Sequence, residues 1–139
     1  MIYLRPSNNT IYPIERIISA ATYLTTGLIG FIWLIIAALM KKRITPFVMY
    51  HIFQSIFLSF AYFILVKLSQ LVYIILYKIP LINAIPYYIN MPLPLFYDLS
   101  ILQLIKVLII LYLAITAFLG QYSYFPWVSN IIDRNVGRK

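Results

Sequence analysis

The feature that most constrains this chain is a set of three long stretches that carry almost no charge. Residues 17–40 hold no charged side chain, two lysines interrupt residues 47–80, and one lysine interrupts residues 99–120. A helix of about 20 apolar residues crosses the roughly 30 Å hydrocarbon core of a bilayer, because each backbone N–H and C=O group must be paired within the segment. The sequence therefore predicts an integral membrane protein, with the lipid bilayer as its first partner.

The composition agrees with this prediction. Hydrophobic residues make up 63% of the 139 residues and charged residues only 10%, whereas a soluble domain is about 25% charged. The net charge of +8 would suggest nucleic acid on a soluble protein. Here the cations flank the hydrophobic stretches, where anionic headgroups and the positive-inside rule account for them. We expect no nucleic-acid partner.

We predict an all-α polytopic membrane protein with three transmembrane helices, at about residues 17–40, 47–78 and 99–120. Thr45 and Pro46 provide a cap and a first helical residue for the second helix. Four prolines between residues 80 and 94 preclude a continuous helix, so residues 80–97 are expected to form a Pro-rich interfacial loop.

The whole chain, residues 1–139, is expected to form a single integral membrane domain. Residues 1–13 would be an N-terminal extramembrane segment without the pattern of a cleavable targeting sequence, and residues 121–139 a basic C-terminal tail. Three crossings would place residues 41–43 and the tail on the cytoplasmic or stromal side, because most of the cations lie there. Arg16 would then lie on the opposite side.

The second predicted helix carries a line of polar side chains on one face, by the i, i+3, i+4 rule. Two interpretations stay open. The line makes hydrogen bonds to neighbouring helices, typically worth under about 2 kcal/mol each, or it forms the polar wall of a translocation path or interface. The side chains of this line are His51, Gln54, Ser55, Ser59, Tyr62, Ser69, Tyr73 and Tyr77, and the predicted wall comprises the first five, from His51 to Tyr62.

Small residues recur on one face of the first predicted helix, where they favour close helix packing in lipid; these are Ser19, Thr22, Thr26 and Gly30. Two intramembrane lysines, Lys67 and Lys106, either extend their stems toward the headgroups or contact a substrate. Asp98 is the nearest counter-ion for Lys106 along the sequence.

No group of residues in the sequence has the pattern of a catalytic or metal site. Cysteine is absent, His51 is the only histidine, and the three acidic residues are scattered. The sequence also lacks a nucleophile elbow, a Gly-rich phosphate loop and a His-Glu-x-x-His motif. We therefore expect no enzymatic activity, no metal and no cofactor.

Residues 47–55 read FVMYHIFQS at the start of the second predicted helix, residues 15–20 read ERIISA at the start of the first, and residues 120–130 read GQYSYFPWVSN at the end of the third. These segments resemble, respectively, the signature at the start of a membrane helix, the start of the first span and the tail of the Tic20 family, the plastid inner-envelope import proteins and their bacterial relatives. Met49 stands where the family has an arginine. The connection between the first two of the family's four spans also has no counterpart in the sequence.

The resemblance implies a membrane subunit of a preprotein translocon in the plastid inner envelope, or a relative in a bacterial plasma membrane. Its partners would be other translocon subunits, a transiting preprotein and further copies of the chain, because three helices are too few to enclose a wide pore. The alternatives are a structural or assembly subunit of another membrane complex, for example a photosynthetic one, and a bacterial relative without an import role. A solute carrier would require broken helices and inverted repeats, which the sequence does not predict.

Overall fold

The structure is a computed structural model that describes residues 11–94, 99–125 and 128–136. Over these ranges the protein is all-helical, as the sequence predicts. The helices are α1 (Pro13–Leu24), α2 (Leu28–Leu39), α3 (Pro46–Leu76), α4 (Ala84–Asn90), α5 (Ile101–Phe118) and α6 (Val128–Val136).

Two of the described helices are long and apolar enough to cross a membrane. They are α3, with 31 residues, and α5, with 18. Their bounds agree within two residues with the predicted helices at 47–78 and 99–120. The start of α3 is the predicted one, since the Val48 N–H donates to Thr45 Oγ1 at 3.5 Å and Pro46 occupies the first helical position.

The start of α5 is fixed by a reciprocal capping box. The Ser100 N–H donates to Gln103 Oε1 at 3.0 Å, and the Gln103 N–H donates to Ser100 Oγ at 3.5 Å. Both donors belong to the group of helix-start amides that lack a partner within the helix. The end of α5 is marked by Gly120, whose φ of +77° suits a left-handed helix terminus.

The expected single helix over residues 17–40 is wrong, because the chain turns back between α1 and α2. A Cβ atom built on Gly30 would lie 2.6 Å from Thr22 Cγ2. In a straight helix, residues eight positions apart are separated by about 12 Å along the axis. Residues 13–39 therefore form a helical hairpin of two 12-residue helices.

The turn of the hairpin is a Schellman motif. The Gly27 N–H donates to the Thr22 carbonyl at 2.8 Å, and the Thr26 N–H donates to the Tyr23 carbonyl at 3.0 Å. Thr26 takes the left-handed conformation with φ +52°, which is strained for a β-branched residue. The turn carries no proline, and this explains why the sequence pattern does not reveal it.

The first half of α3 packs beside both helices of the hairpin. Ser55 Oγ donates to the Thr22 carbonyl at 3.1 Å, and Ser59 Oγ donates to the Thr26 carbonyl at 2.9 Å. From the first hydrogen bond to the second, the bonded position advances by four residues in the α1 segment and by four residues in α3. Helix α1 therefore runs in the same direction as α3.

Helix α2 runs in the opposite direction. A Cβ built on Gly27 would lie 3.1 Å from Ile56 Cγ1, and one built on Gly30 would lie 2.9 Å from Ile52 Cγ1, so the contacts move backward along α3. The start of α1 and the end of α2 thus lie at the same end of the hairpin. The expected separation of Arg16 from residues 41–43 by a crossing helix is not found.

The interfacial loop expected over residues 80–97 contains a short helix, α4, at Ala84–Asn90. Pro86 is the third residue of α4, and a proline in the first turn is tolerated because its missing N–H would have no helical partner. Tyr87 and Tyr88 are exposed. Residues 95–98, which include Asp98, lie outside the described residues.

The chain divides into two compact units, Met1–Ser59 with Ile110–Lys139, and Phe60–Ile109. In the first unit, α1, α2, α3 and α6 contribute to one hydrophobic core. In the second unit, the described part of α3 is exposed except for a half-buried stripe at spacings of four and three residues, the pattern of a helix seam. The members of this stripe are Tyr62, Val66, Ser69, Tyr73 and Leu76.

Candidate functional site

The first unit contains a group of buried polar side chains contributed by α1, α3 and residues 121–136, which we name the polar cluster. Each member is at most 2% exposed. Buried polar groups are tolerated only when their hydrogen bonds are made inside the protein. The cluster consists of Tyr23, Tyr50, His51, Gln54, Ser123 and Ser129.

Gln54 occupies the centre of the polar cluster. Its Oε1 accepts from the Tyr23 hydroxyl at 2.6 Å and from the Ser123 hydroxyl at 3.0 Å. Its Nε2 donates to the Ser123 carbonyl at 3.3 Å and to Ser129 Oγ at 3.4 Å. A glutamine amide has two lone pairs and two N–H bonds, so the hydrogen-bonding capacity of this side chain is fully used.

The hydroxyl of Tyr23 connects Gln54 with His51. Tyr23 Oη lies 2.8 Å from His51 Nδ1, and its single proton is directed to the Gln54 carbonyl oxygen. The histidine proton must then reside on Nδ1, from which it is donated to Tyr23 Oη. The three side chains thus form a directed chain of hydrogen bonds from α3 through α1 and back to α3.

Tyr50 attaches the C-terminal segment to α3. Its hydroxyl is within donating distance of the Ser123 carbonyl at 2.7 Å and of Ser129 Oγ at 2.8 Å. Ser129 Oγ also accepts from the Phe125 N–H at 2.7 Å. The short segment between α5 and α6 is therefore held by side chains from α3 as well as by its own backbone.

Aromatic rings enclose the His51 imidazole on several sides. The ring centroids of Phe47 and Tyr50 lie 4.5 Å and 5.3 Å from that of His51, both in edge-to-face orientation. Tyr122 stacks on the imidazole at 6.0 Å, and the Tyr23 ring approaches edge-on at 5.6 Å. These contacts give His51 a structural role.

The predicted polar wall is divided between the two units. His51, Gln54 and Ser55 are buried in the first unit and bond other parts of the same chain. Ser59 is half-buried and bonds the hairpin turn. Tyr62 belongs to the half-buried stripe of the second unit.

The two predicted intramembrane lysines both lie in the second unit against aromatic rings. Lys106 Nζ is 4.6 Å from the centroid of Tyr62, and Lys67 Nζ is 5.7 Å from that of Phe63. Cation–π contacts of this kind favour an ammonium position over a ring face. Among the described residues, no carboxylate forms a salt bridge with either lysine.

The predicted packing residues lie at the hairpin. Ser19 and Thr22 are fully buried, and Gly30 is buried where a side chain would collide with Thr22 and Ile52. Thr26 is exposed at the turn, where its backbone, and not its side chain, makes the described contact with α3.

Sequence reasoning missed Tyr23, Tyr50, Ser123 and Ser129 as members of the polar cluster. Tyr50 lies in residues 47–55, and Ser123 and Ser129 lie in residues 120–130, two segments that the sequence analysis singles out, and this is the available signal for them. Tyr23 lies in an apolar stretch and carries no such signal. The turn that follows Tyr23 brings its hydroxyl to His51 and Gln54.

The described residues contain no group of three or more His, Cys, Asp or Glu side chains that could hold a metal ion. No member of the polar cluster faces solvent, since each is buried. The hydrogen bonds of the cluster connect three segments of the chain.

Comparison with known proteins adds no assignment. No family model matches the chain, and no match was found among curated proteins or solved structures.

Proposed function

We propose that this chain is a membrane subunit of a preprotein translocation complex of the Tic20 type, in a plastid inner envelope or a bacterial plasma membrane. The observation that carries the proposal is the convergence of the three segments that resemble the family. His51 and Gln54 from the second segment bond Tyr23, which follows the first, and Ser123 in the third. Arg16 of the first segment lies against Gly120 of the third.

This convergence supports the resemblance for a physical reason. Three short segments that resemble a family by chance would have no reason to meet in the folded chain. Here they supply most of the polar cluster and part of the hydrophobic core around it. The resemblance thus covers one packed structural unit.

We place α3 and α5 across the bilayer and the α1–α2 hairpin partly within it. Each helix of the hairpin has 12 residues and is about 18 Å long, a little over half of the hydrocarbon thickness. A turn at this depth must have its backbone groups paired. The Schellman hydrogen bonds and Ser59 Oγ provide that pairing at Thr22, Tyr23 and Thr26.

The hairpin also changes the distribution of charge in this topology. Arg16 now lies on the same side as residues 41–43, the most basic loop of the chain. The positive-inside rule directs that side toward the cytoplasm or the stroma. The difference in positive charge between the two sides of the membrane is therefore larger than it would be with three crossing helices.

In this proposal the second unit contributes to the translocation path. The polar side chains of α3 in the first unit bond other parts of the chain. On the half-buried face of Tyr62, Ser69 and Tyr73, the hydrogen bond found among the described residues is that from Ser69 Oγ to the Val66 carbonyl of the same helix. Two crossing helices cannot enclose a polypeptide. The path therefore requires partner subunits or further copies of the chain.

Site-specific photocrosslinking tests the proposal. A photoreactive residue is placed at Tyr62, on the half-buried stripe, or at Phe60, which is 63% exposed and lies on the opposite face of α3 at nearly the same depth. With a preprotein arrested during import, we expect precursor adducts at Tyr62 and lipid adducts at Phe60. Import that proceeds without a precursor adduct at Tyr62 would contradict the proposed path.

One observation favours a second candidate, a structural or assembly subunit of another membrane complex. The polar side chains of His51, Gln54 and Ser55 serve the interior of the chain itself, as a purely structural subunit would require. Mass spectrometry of the native complex distinguishes the two functions. Translocon subunits with a precursor support the first, and stoichiometric photosynthetic subunits support the second.

A further inference from the structure

Two ammonium groups lie at one level of α3 in the second unit. Lys106 Nζ is over the ring of Tyr62 and Lys67 Nζ is over the ring of Phe63. Because Tyr62 and Phe63 are consecutive residues, their Cα atoms differ by only about 1.5 Å in position along the helix axis. Two elements, α3 and α5, thus bring positive charge to the same layer of the unit.

The described part of residues 60–109 contains no acidic side chain that could pair with these two lysines. That part contains three lysines and neither Asp nor Glu. A cation in apolar surroundings is costly unless an anion or water compensates it. An anionic group from outside the chain would remove that cost.

The surroundings of the two lysines fit a phospholipid better than a carboxylate from another protein. Phe63, one helical turn before Lys67, and Leu108, two residues after Lys106, are each 58% exposed, and Ile105, which directly precedes Lys106, is 48% exposed. A phospholipid offers a phosphate and acyl chains in one molecule, so the same ligand would satisfy the cations and cover this apolar surface.

The position of Lys106 along α5 also suits a lipid phosphate. Lys106 is the sixth residue of the helix and lies about 8 Å from its first residue, a depth that a lysine stem bridges toward the headgroups. Its ammonium has three N–H donors. The contact with the Tyr62 ring leaves donors available for phosphate oxygens.

We propose that Lys106 and Lys67, seated on Tyr62 and Phe63, form a binding site for the phosphate headgroup of an anionic phospholipid. The site rests on the proposed membrane placement of α3 and α5; it shares Tyr62 with the proposed translocation path, but its lipid ligands are the two lysines, which that path does not use. Lys106 is the principal ligand because it is half-buried, whereas Lys67 is exposed.

Native mass spectrometry of the full chain in mixed phosphatidylglycerol and phosphatidylcholine tests this site. We expect the wild-type protein to retain phosphatidylglycerol in preference to phosphatidylcholine. Lys106→Gln should lower that retention about fivefold and Lys67→Gln should lower it less. Lys106→Arg, which keeps the charge, should preserve it. Lys42→Gln is the matched control, since it removes an exposed lysine of the first unit.

Equal retention of the two lipids by the wild-type protein would overturn the site without recourse to any variant. Equal loss of phosphatidylglycerol retention in Lys42→Gln and Lys106→Gln would also overturn the site, because the loss would then reflect only the lower net charge of the protein. A co-purifying acidic protein that is lost from Lys106→Gln, with lipid retention unchanged, would replace the lipid as the occupant. Release of the chain from membranes by alkaline carbonate would instead refute the membrane placement itself.

Discussion

The hydroxyl of Tyr23 lies 2.8 Å from Nδ1 of His51, and this contact joins the hairpin to the first half of α3. Tyr23 immediately precedes the end of α1, and His51 lies in the second turn of α3. The contact is possible only because the chain reverses between α1 and α2. The hairpin turn and the polar cluster are therefore two parts of one structural feature.

Replacing Gln54 by leucine should destabilise the first unit by about 2–4 kcal/mol, because buried donors and acceptors on Tyr23 and Ser123 would lose their partners. The change in unfolding free energy is measured by SDS titration in mild detergent. Gln70→Leu is the control, since Gln70 is an exposed glutamine on the same helix and its loss should change stability by less than about 0.5 kcal/mol. Equal effects of the two substitutions would show that the cluster has no special energetic role.

Replacing Thr26 by glycine should stabilise the hairpin by about 1 kcal/mol, because glycine adopts the left-handed conformation without the strain of a β-branched side chain. The melting temperature in detergent reports the gain. Thr25→Gly should have the opposite effect, since Thr25 has φ −99° and its hydroxyl accepts from the Ile29 N–H at 3.2 Å. A loss of stability in Thr26→Gly would argue against the turn described here.

Two buried serines should respond differently to substitution by alanine. In the described structure, Ser19 Oγ is buried without a hydrogen-bond partner, so Ser19→Ala should be neutral or stabilising. Ser55 Oγ donates to the Thr22 carbonyl, so Ser55→Ala should cost about 1 kcal/mol. Unfolding of both variants under the same conditions compares them directly, and a larger loss for Ser19→Ala would contradict the packing of α1 against α3.

Replacing Gly30 by alanine should weaken the hairpin by about 1–3 kcal/mol, because the added methyl group would overlap Thr22 and Ile52. Adding Thr22→Ala removes the nearest of these atoms and should recover part of the loss. A double-mutant cycle measures this coupling. Strictly additive changes in unfolding free energy would indicate that Gly30 and Thr22 are not in contact, which would contradict the hairpin.

Much of the fold could be predicted from the sequence because its signals are local. Thr45 and Pro46 mark the start of α3, and no glycine or proline interrupts that helix before its end. Gly120 marks the end of α5. The length and apolar character of both helices follow directly from residue type.

The hairpin could not be predicted in the same way. Its turn uses Thr26 in a conformation that glycine or asparagine usually adopts, and Gly27 alone inside an apolar stretch is compatible with a continuous helix. The sequence therefore indicated one long helix where the chain forms two short ones.

The candidate site was predicted in part. The i, i+3, i+4 pattern places His51, Gln54 and Ser55 on one face of α3, and the structure shows that face buried. The partners Tyr23 and Ser123 are distant in sequence, and no periodicity connects them with α3. Only the folded chain shows that the polar line is paired within the same molecule along the first half of the helix.

Cysteine accessibility tests whether residues 13–39 fold back on themselves beside α3. The chain contains no cysteine, so single cysteines introduced at Tyr12, Lys42 and Asn83 are unique targets for a membrane-impermeant maleimide. We expect positions 12 and 42 to be labelled from one side of the membrane and position 83 from the other. Labelling of position 12 from the same side as position 83 would contradict the hairpin.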